Sequence, residues 1–148
     1  MKFKLGLTGS MGMGKTSTAS LFEKYNCGVW DADKAVHRLY AKGGEAVKPI
    51  AKLFPKAITK GSVNRTELKQ CLSEDFEKIT LLENIVHPLV SADRKKFIED
   101  TKYEINVFDI PLLFETGSNK IMDKVACVFV SKPIQMERIR SRRSMTEE

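Results

Sequence analysis

Apolar residues recur along the chain in two spacings, which together predict short strands that alternate with helices. Short continuous apolar runs are typical of buried strands, whereas apolar residues at every third or fourth position are typical of helices that pack on one face. Strands that alternate with helices form βαβ units around a parallel sheet, so the pattern predicts an α/β fold. The predicted strands cover residues 3–7, 27–30, 105–109 and 125–130.

A long helical block separates the second predicted strand from the third. The block is too large for a simple crossover between parallel strands, so it indicates an inserted lobe. We expect His87-Pro88 to interrupt its last helix, because proline disfavours helical backbone at the residue before it. Residues 56–64 are predicted to form a loop or a small turn. The predicted helices of the block cover residues 35–40, 46–53, 65–72 and 76–86, with a further helical stretch over 90–98.

A glycine-rich segment separates the first predicted strand from the first predicted helix. Residues 9–16 read GSMGMGKT and fit the pattern G-x-x-x-x-G-K-[ST] of a phosphate-binding loop. Glycine lets the backbone N–H groups approach a triphosphate closely and adopt positive φ angles. The N-terminus of the following helix directs partial positive charge at the phosphates. A turn without chemistry is the alternative, but the strand before the segment and the helix after it favour a nucleotide site.

The residues of this loop have separate expected roles. The ammonium of Lys15 is expected to reach the β- and γ-phosphates of ATP, and the hydroxyl of Thr16 is expected to ligate Mg²⁺. Methionine is tolerated within the loop because those positions need only expose their backbone N–H groups. The predicted nucleotide-binding residues are Gly9, Met11, Gly12, Met13, Gly14, Lys15, Thr16 and Ser17.

The charge of the chain is compatible with a polyphosphate ligand. The net charge is +6, and a basic surface suits either nucleic acid or small polyphosphates. We favour the small ligand because the basic residues are not clustered with aromatic ones. The three cysteines are far apart and odd in number, which predicts free thiols in a reducing compartment rather than a disulfide framework. No signal peptide or membrane-spanning run is evident, so we expect a cytoplasmic protein.

Three acids stand where predicted strands end, which is where open α/β sheets bind ligands. Asp31 and Asp33 follow the second strand, and either could accept the proton of an acceptor hydroxyl. Each also suits a structural role, since Asp31 could cap the next helix and Asp33 could stabilise its first turn. Asp109 ends the third strand, where a Walker-type acid lies near the metal, and an ordinary turn residue is the less favoured alternative.

The last predicted helix begins at Pro133 and presents basic side chains on one face. Gln135, Arg138 and Arg142 follow one another at three- and four-residue spacing. On charge alone this could be a solvated surface. Beside a phosphate-binding loop it also fits a lid that closes over ATP and excludes water.

These segments together resemble the dephospho-coenzyme A kinase family over essentially the whole chain. The most specific segment is DIPLLFE at 109–115, because a Walker-type loop alone is shared by many kinases. The segments that carry the resemblance are 8–16, DAD at 31–33, GSVNR at 61–65 with Leu68, LE at 82–83 with HPLV at 87–90, 109–115, and Gln135 with Arg138 and Arg142.

The resemblance implies ATP-dependent phosphorylation of the ribose 3′-hydroxyl of dephospho-coenzyme A, with ATP and Mg²⁺ as the expected cofactors. It implies Asp33 as the general base, although the residues alone leave Asp31 open. It also implies catalytic roles for Lys15 and Arg142. The expected substrate contacts are Asp33, Arg65, His87 and Leu113, and the expected metal ligands are Thr16 and Asp109.

The resemblance further implies the fold and its organisation. We expect one P-loop kinase domain, with a parallel sheet and helices on both faces, an inserted helical substrate lobe and a partial lid. Family members continue past Glu148, so we expect the rest of the lid and the adenine contacts to lie outside this chain. We also expect a monomer or weak oligomer that binds neither nucleic acid nor membrane. The expected bounds are 1–33 and 103–132 for the core, about 34–102 for the lobe and 133–148 for the lid.

The sequence is also compatible with other functions. Another small-molecule or nucleoside monophosphate kinase would share the loop, although the segment at 109–115 argues against it. A fragment that binds nucleotide without turnover is a second alternative. A GTPase switch is less favoured, because its guanine-reading motif Asn/Thr-Lys-x-Asp is absent from the sequence.

Overall fold

The computed structural model describes residues 2–73 and 75–144, which form two compact units. One unit contains the described residues up to Ala32 and those from Thr101 onward, and the other contains Asp33–Asp100. The end of the expected lid, 145–148, lies outside the described residues. The helices and strands are β1 Phe3–Thr8, α1 Lys15–Lys24, β2 Gly28–Asp31, α2 Ala32–Tyr40, α3 Val47–Leu53, β3 Ile58–Thr59, β4 Ser62–Val63, α4 Arg65–Leu72, α5 Phe76–Asp100, β5 Ile105–Asp109, β6 Lys124–Cys127 and α6 Lys132–Ser144.

The first unit is built on a parallel four-stranded sheet, which confirms the sheet predicted from the strand pattern. The strand order is β2-β5-β1-β6, so β5 lies between β2 and β1. Asp109, at the end of β5, is in register with Asp31 on one side and Leu7 on the other. The carboxyl ends of all four strands therefore meet at one edge. The last strand is shorter than predicted and ends at Cys127.

Alternating side chains cover the two faces of this sheet. On one face Leu7 and Val107 pack with Ala19 of α1 in a buried cluster. On the other face the rings of Trp30 and Phe108 lie 6.2 Å apart. Apolar residues therefore face both sides of the central strand, as expected when a parallel sheet is covered on both faces.

The second unit is mainly helical and encloses its own core. Helices α2, α3 and α4 and the strand β4 contribute buried side chains, and residues of α5 pack against them. The buried members of this cluster are Leu39, Ala46, Ile50, Phe54, Ala57, Val63 and Leu68.

The prediction that 56–64 is a loop or small turn missed a short hairpin. Strands β3 and β4 pair in antiparallel orientation, with Ile58 opposite Val63. The two residues between them, Lys60 and Gly61, have φ angles of 50° and 82°. Two consecutive positive φ angles match the tight turn whose twist suits a two-residue hairpin. Lysine at the first of these positions gives no strong turn signal in the sequence.

The prediction that His87-Pro88 breaks the last helix of this unit is wrong. Helix α5 runs without interruption from Phe76 to Asp100 with Pro88 inside it. Proline lacks the N–H that would bond to the carbonyl four residues earlier, which disfavours an interior position. Apolar residues on both sides of the proline, including Val86 and Leu89, pack against one core. This shared packing offsets the lost hydrogen bond and keeps the helix continuous.

Candidate phosphate-binding site

The loop between β1 and α1 has backbone geometry that requires glycine at three positions. Gly12 and Gly14 have φ angles of 78° and 91°, in the left-handed region that other residues rarely adopt. At Gly9 an added Cβ would lie 2.9 Å from the carbonyl oxygen of Val128. The glycines of the predicted motif are therefore needed both for the path of the loop and for its packing beside the end of β6.

The N-terminus of α1 lies directly after this loop and offers an anion site. The first helical hydrogen bond runs from the N–H of Thr18 to the carbonyl of Gly14, at 3.0 Å. The N–H groups of the preceding residues of α1 have no carbonyl partner within the helix. No acidic residue stands in the first turn to compensate the positive end of the helix dipole. Thr16 and Ser17 are exposed there, as a phosphate or metal contact requires.

The two charged residues predicted for phosphate and metal form an ion pair. The Nζ of Lys15 contacts Oδ1 of Asp109. The two side chains are 15% and 4% exposed. Helix α1 and strand β5 thus bring together an ammonium and a carboxylate that are 94 residues apart in the chain. A negative ligand at the helix N-terminus would meet the Lys15 ammonium at this edge of the sheet.

The oxygen atoms available at this site suit a Mg²⁺ ion that binds together with a nucleotide. The described residues contain no group of three or more His, Cys, Asp or Glu side chains able to hold a metal by themselves. Mg²⁺ usually binds through one or two protein oxygens together with phosphate oxygens and water. The hydroxyl of Thr16 and the carboxylate of Asp109 supply oxygens of this type.

Helix α6 contacts the phosphate-binding loop, an arrangement that sequence reasoning missed. Nε2 of Gln135 donates to the carbonyl oxygen of Met11 at 2.8 Å, and Nη1 of Arg138 donates to that of Gly12 at 3.3 Å. Just before α6, the backbone N–H of Val130 donates to the sulfur of Met13 at 3.2 Å. Both side chains therefore hold the loop backbone, a contact that helical spacing does not predict, and the lid role of this helix face stays a prediction.

Arg142 lies about one helical turn beyond Arg138, and its side chain is exposed. The exposed position is compatible with contact to a ligand, and its catalytic role stays a prediction. Leu113 is different, because its side chain is fully buried and lies beside Gly6 on the sheet. A substrate contact at Leu113 would therefore involve its backbone.

The remaining predicted residues belong to the second unit. Asp33 is exposed in the first turn of α2. Arg65 is the first residue of α4, and its guanidinium lies over the ring of Tyr40. His87 is exposed on α5. Each is accessible within its own unit, and their substrate roles stay predictions.

Replacing Gly12 with alanine is expected to weaken nucleotide binding about tenfold. Left-handed backbone costs a residue with a Cβ about 1–2 kcal/mol, and about 1.4 kcal/mol corresponds to a tenfold change in Kd. The new Cβ would also lie 3.1 Å from both the carbonyl oxygen of Gln135 and a side-chain carbon of Ile139. Calorimetric titration with ATP measures the change.

Gly43→Ala is the matched control for this variant. Gly43 has a similar φ of 81°, but an added Cβ there meets no atom within 4 Å. It should lower the thermal stability through backbone strain and leave the Kd for ATP unchanged. Equal ATP affinity in the wild type and Gly12→Ala would contradict the role assigned to the loop geometry.

Comparison with known proteins places the chain beside one enzyme family. The family model for dephospho-CoA kinase matches residues 3–148. A dephospho-CoA kinase of Ruegeria pomeroyi is 50% identical over 147 residues, which span 99% of this chain and 75% of the relative. The chain thus spans about three quarters of that relative's length.

Solved structures share the fold. A protein of Thermus thermophilus superposes with a TM-score of 0.83 at 27% identity, covering 95% of this chain and 72% of that one. A dephospho-CoA kinase from Campylobacter jejuni superposes with a TM-score of 0.65 at 16% identity, covering 97% of both chains. These likenesses confirm the predicted α/β fold with a parallel sheet flanked by helices.

Proposed function

The chain belongs to the dephospho-coenzyme A (CoA) kinase family, and we infer from this membership that it transfers the γ-phosphate of ATP to the ribose 3′-hydroxyl of dephospho-CoA. The products are CoA and ADP. The observation that carries the conclusion is the family match over residues 3–148. The phosphate-binding loop followed by an uncompensated helix N-terminus supports it independently, because a kinase must hold a triphosphate.

The loop and α1 bind the phosphates of ATP. The backbone N–H groups at the start of α1 donate to phosphate oxygens, and the helix dipole favours their negative charge. The ammonium of Lys15 moves from the Asp109 carboxylate to the β- and γ-phosphates when ATP binds. The side chains of Gln135 and Arg138 on α6 donate hydrogen bonds to the carbonyl oxygens of Met11 and Gly12. These bonds fix the loop backbone.

Thr16 and Asp109 are the proposed holders of Mg²⁺, directly or through water. When bound, the ion neutralises negative charge on the β- and γ-phosphates. Asp109 is suited to this role because it is almost fully buried at the carboxyl end of β5. Its carboxylate is therefore held in place before the nucleotide arrives.

Asp33 is the proposed general base. Its carboxylate accepts the proton of the ribose 3′-hydroxyl as that oxygen forms a bond to the γ-phosphorus. The bond from the γ-phosphorus to the bridging oxygen breaks, and ADP leaves with that oxygen. Arg142 is proposed to stabilise the charge of the transferring group.

The second unit is proposed to bind the CoA moiety, with Arg65 and His87 as contacts. Leu113 belongs to the first unit and is proposed to contact substrate through its backbone. The proposed lobe covers about 34–102, and α6 is the proposed start of the lid. We also propose a cytoplasmic protein, monomeric or weakly oligomeric, that does not bind nucleic acid. Among the described residues, no helix has the length and apolar character needed to cross a membrane.

Release of ADP with different acceptors tests this function. Mg-ATP is supplied with dephospho-CoA, with AMP, or without an acceptor, and ADP is measured by a coupled assay. Release that depends on dephospho-CoA is the expected result. Release of ADP from Mg-ATP with AMP as acceptor, but not with dephospho-CoA, would indicate a nucleoside monophosphate kinase instead. ATP binding without release for any acceptor would favour a nucleotide-binding module without turnover.

A further inference from the structure

The second unit holds an arginine against an aromatic ring. The guanidinium carbon of Arg65 lies 5.7 Å from the centroid of the Tyr40 ring. A cation within about 6 Å of a ring centroid is attracted by the negative face of the ring. The contact joins α2 to α4, which are separated in the chain by α3 and the β3–β4 hairpin.

The backbone at Arg65 is fixed on both sides. The side chain of Asn64 caps α4 by accepting hydrogen bonds from the N–H groups of Thr66 and Glu67, at 3.0 and 3.2 Å. The N–H of Asn64 donates to the carbonyl of Ala57 at 2.8 Å. One turn further on, Leu68 is buried in the core of the unit. The long side chain of Arg65 is the part that still needs orienting, and the Tyr40 ring supplies that contact.

The ring itself is well held and uncharged at neutral pH. Tyr40 is half-buried and packs against the buried cluster of the second unit. Burial raises the pKa of its phenol above the ordinary value, while the nearby charge of Arg65 acts in the opposite direction. The contact with Arg65 is therefore a cation–π contact with a neutral ring and not an ion pair with a phenolate.

Among the described residues, no carboxylate pairs with the Arg65 guanidinium. Arg38, on the same helix as Tyr40, pairs with Asp93 at 2.6 Å. Within the described part of the chain, Arg65 makes no ion pair with an acidic side chain within 4 Å. An aromatic face attracts the cation without occupying the five N–H donors of the guanidinium. These donors remain available for the paired oxygens of a phosphate.

From this geometry we propose that Tyr40 is a positioning residue that holds the Arg65 guanidinium for the diphosphate of dephospho-CoA. The proposal rests on the proposed function, in which Arg65 contacts this substrate. It goes further by naming the diphosphate as the group recognised and the Tyr40 ring as the support that orients the arginine. Removing the ring leaves the charge in place but lets the side chain sample other rotamers.

Titration of the protein with dephospho-CoA in a calorimeter tests the proposal. Tyr40→Leu is expected to raise the Kd about three- to tenfold, the range that a cation–π contact of this kind accounts for. Tyr40→Phe keeps the ring and is expected to bind as the wild type does. In the kinase assay Tyr40→Leu should raise the KM for dephospho-CoA, with kcat and the KM for ATP unchanged.

A double-mutant cycle separates positioning from general packing. Tyr40→Leu should add nothing to the Kd in an Arg65→Ala background, because its effect passes through the arginine. An equal effect in both backgrounds, or equal losses in Tyr40→Phe and Tyr40→Leu, would overturn the proposal. Tyr25→Leu is the matched control, since Tyr25 is 79% exposed in the first unit and should leave the Kd unchanged.

The binding data distinguish a failure of the proposed function from a failure of the role assigned to Tyr40. A wild-type protein that does not bind dephospho-CoA would overturn the function and this proposal together. Binding that is unaffected by Arg65→Ala would overturn the contact assigned to Arg65, and the proposal with it. If Arg65→Ala weakens the binding of dephospho-CoA and Tyr40→Leu does not, only the positioning role of Tyr40 is overturned. If Tyr40→Leu does not fold, Tyr40→Met takes its place in the same cycle.

Discussion

Lys15→Ala is expected to lower the rate of phosphoryl transfer by at least about a hundredfold. Removing a single preorganised donor to charge that develops in a transition state typically lowers kcat by about 10²–10³. The measurement is ADP release with Mg-ATP and dephospho-CoA at saturating concentrations. Lys24→Ala, which removes an exposed lysine from the last turn of the same helix, is the control and should keep wild-type activity. Normal transfer by Lys15→Ala would overturn the nucleotide-site assignment.

The same substitution also has an expected effect on stability. Lys15 is the ion-pair partner of Asp109, whose side chain is 4% exposed. Removing one partner of a buried pair typically destabilises a protein by about 3–5 kcal/mol, because the other charge stays buried. Lys15→Ala with Asp109→Asn should recover much of the stability in thermal unfolding without restoring transfer. Equal melting temperatures for the wild type and Lys15→Ala would show that the pair contributes little in the ligand-free protein.

Asp33→Asn is expected to lower kcat by about 10²–10⁴, the usual contribution of a general base. Asparagine keeps the size of the side chain and its position in the first turn of α2, but it cannot take up the proton of the acceptor hydroxyl. The KM for ATP should change little, because the phosphate-binding loop is untouched. Single-turnover kinetics with dephospho-CoA measure the chemical step directly.

Asp31→Asn is the matched control, because the two acids stand two residues apart around the start of the same helix. Asp31 ends β2 opposite Asp109 in the sheet. Its replacement should therefore change the stability of the sheet edge more than the rate of proton transfer. A larger kcat loss in Asp31→Asn than in Asp33→Asn would move the base to Asp31. Near-normal turnover in both variants would remove the general base from this segment.

The features that the sequence predicted well are those that depend on neighbouring residues. The glycines of the phosphate-binding loop stand within eight residues of one another and between a strand and a helix, so their spacing and this local context predicted the loop. The first strand and α4 were likewise evident from local periodicity. The end of β6 was overestimated, because the apolar run continues past Cys127 beyond the last paired residue.

The features that the sequence did not predict depend on distant contacts. The ion pair of Lys15 and Asp109 depends on the register of two elements that are 94 residues apart. The hydrogen bonds from Gln135 and Arg138 to the loop depend on where α6 packs, which helical spacing does not specify. The continuity of α5 through Pro88 was missed because packing on both sides of the proline outweighed its local preference.

The strand order has a consequence for synthesis on the ribosome. Strand β5 separates β1 from β2, so the first two strands have no neighbour to pair with until residues 105–109 have been made. At a synthesis rate of about 5–20 residues per second, the edges of β1 and β2 stay unpaired for several seconds. Residues 33–100, which enclose a core of their own, are made during this interval. The helical unit can therefore fold first, while the nascent β1 and β2 are the segments most exposed to aggregation and to chaperones.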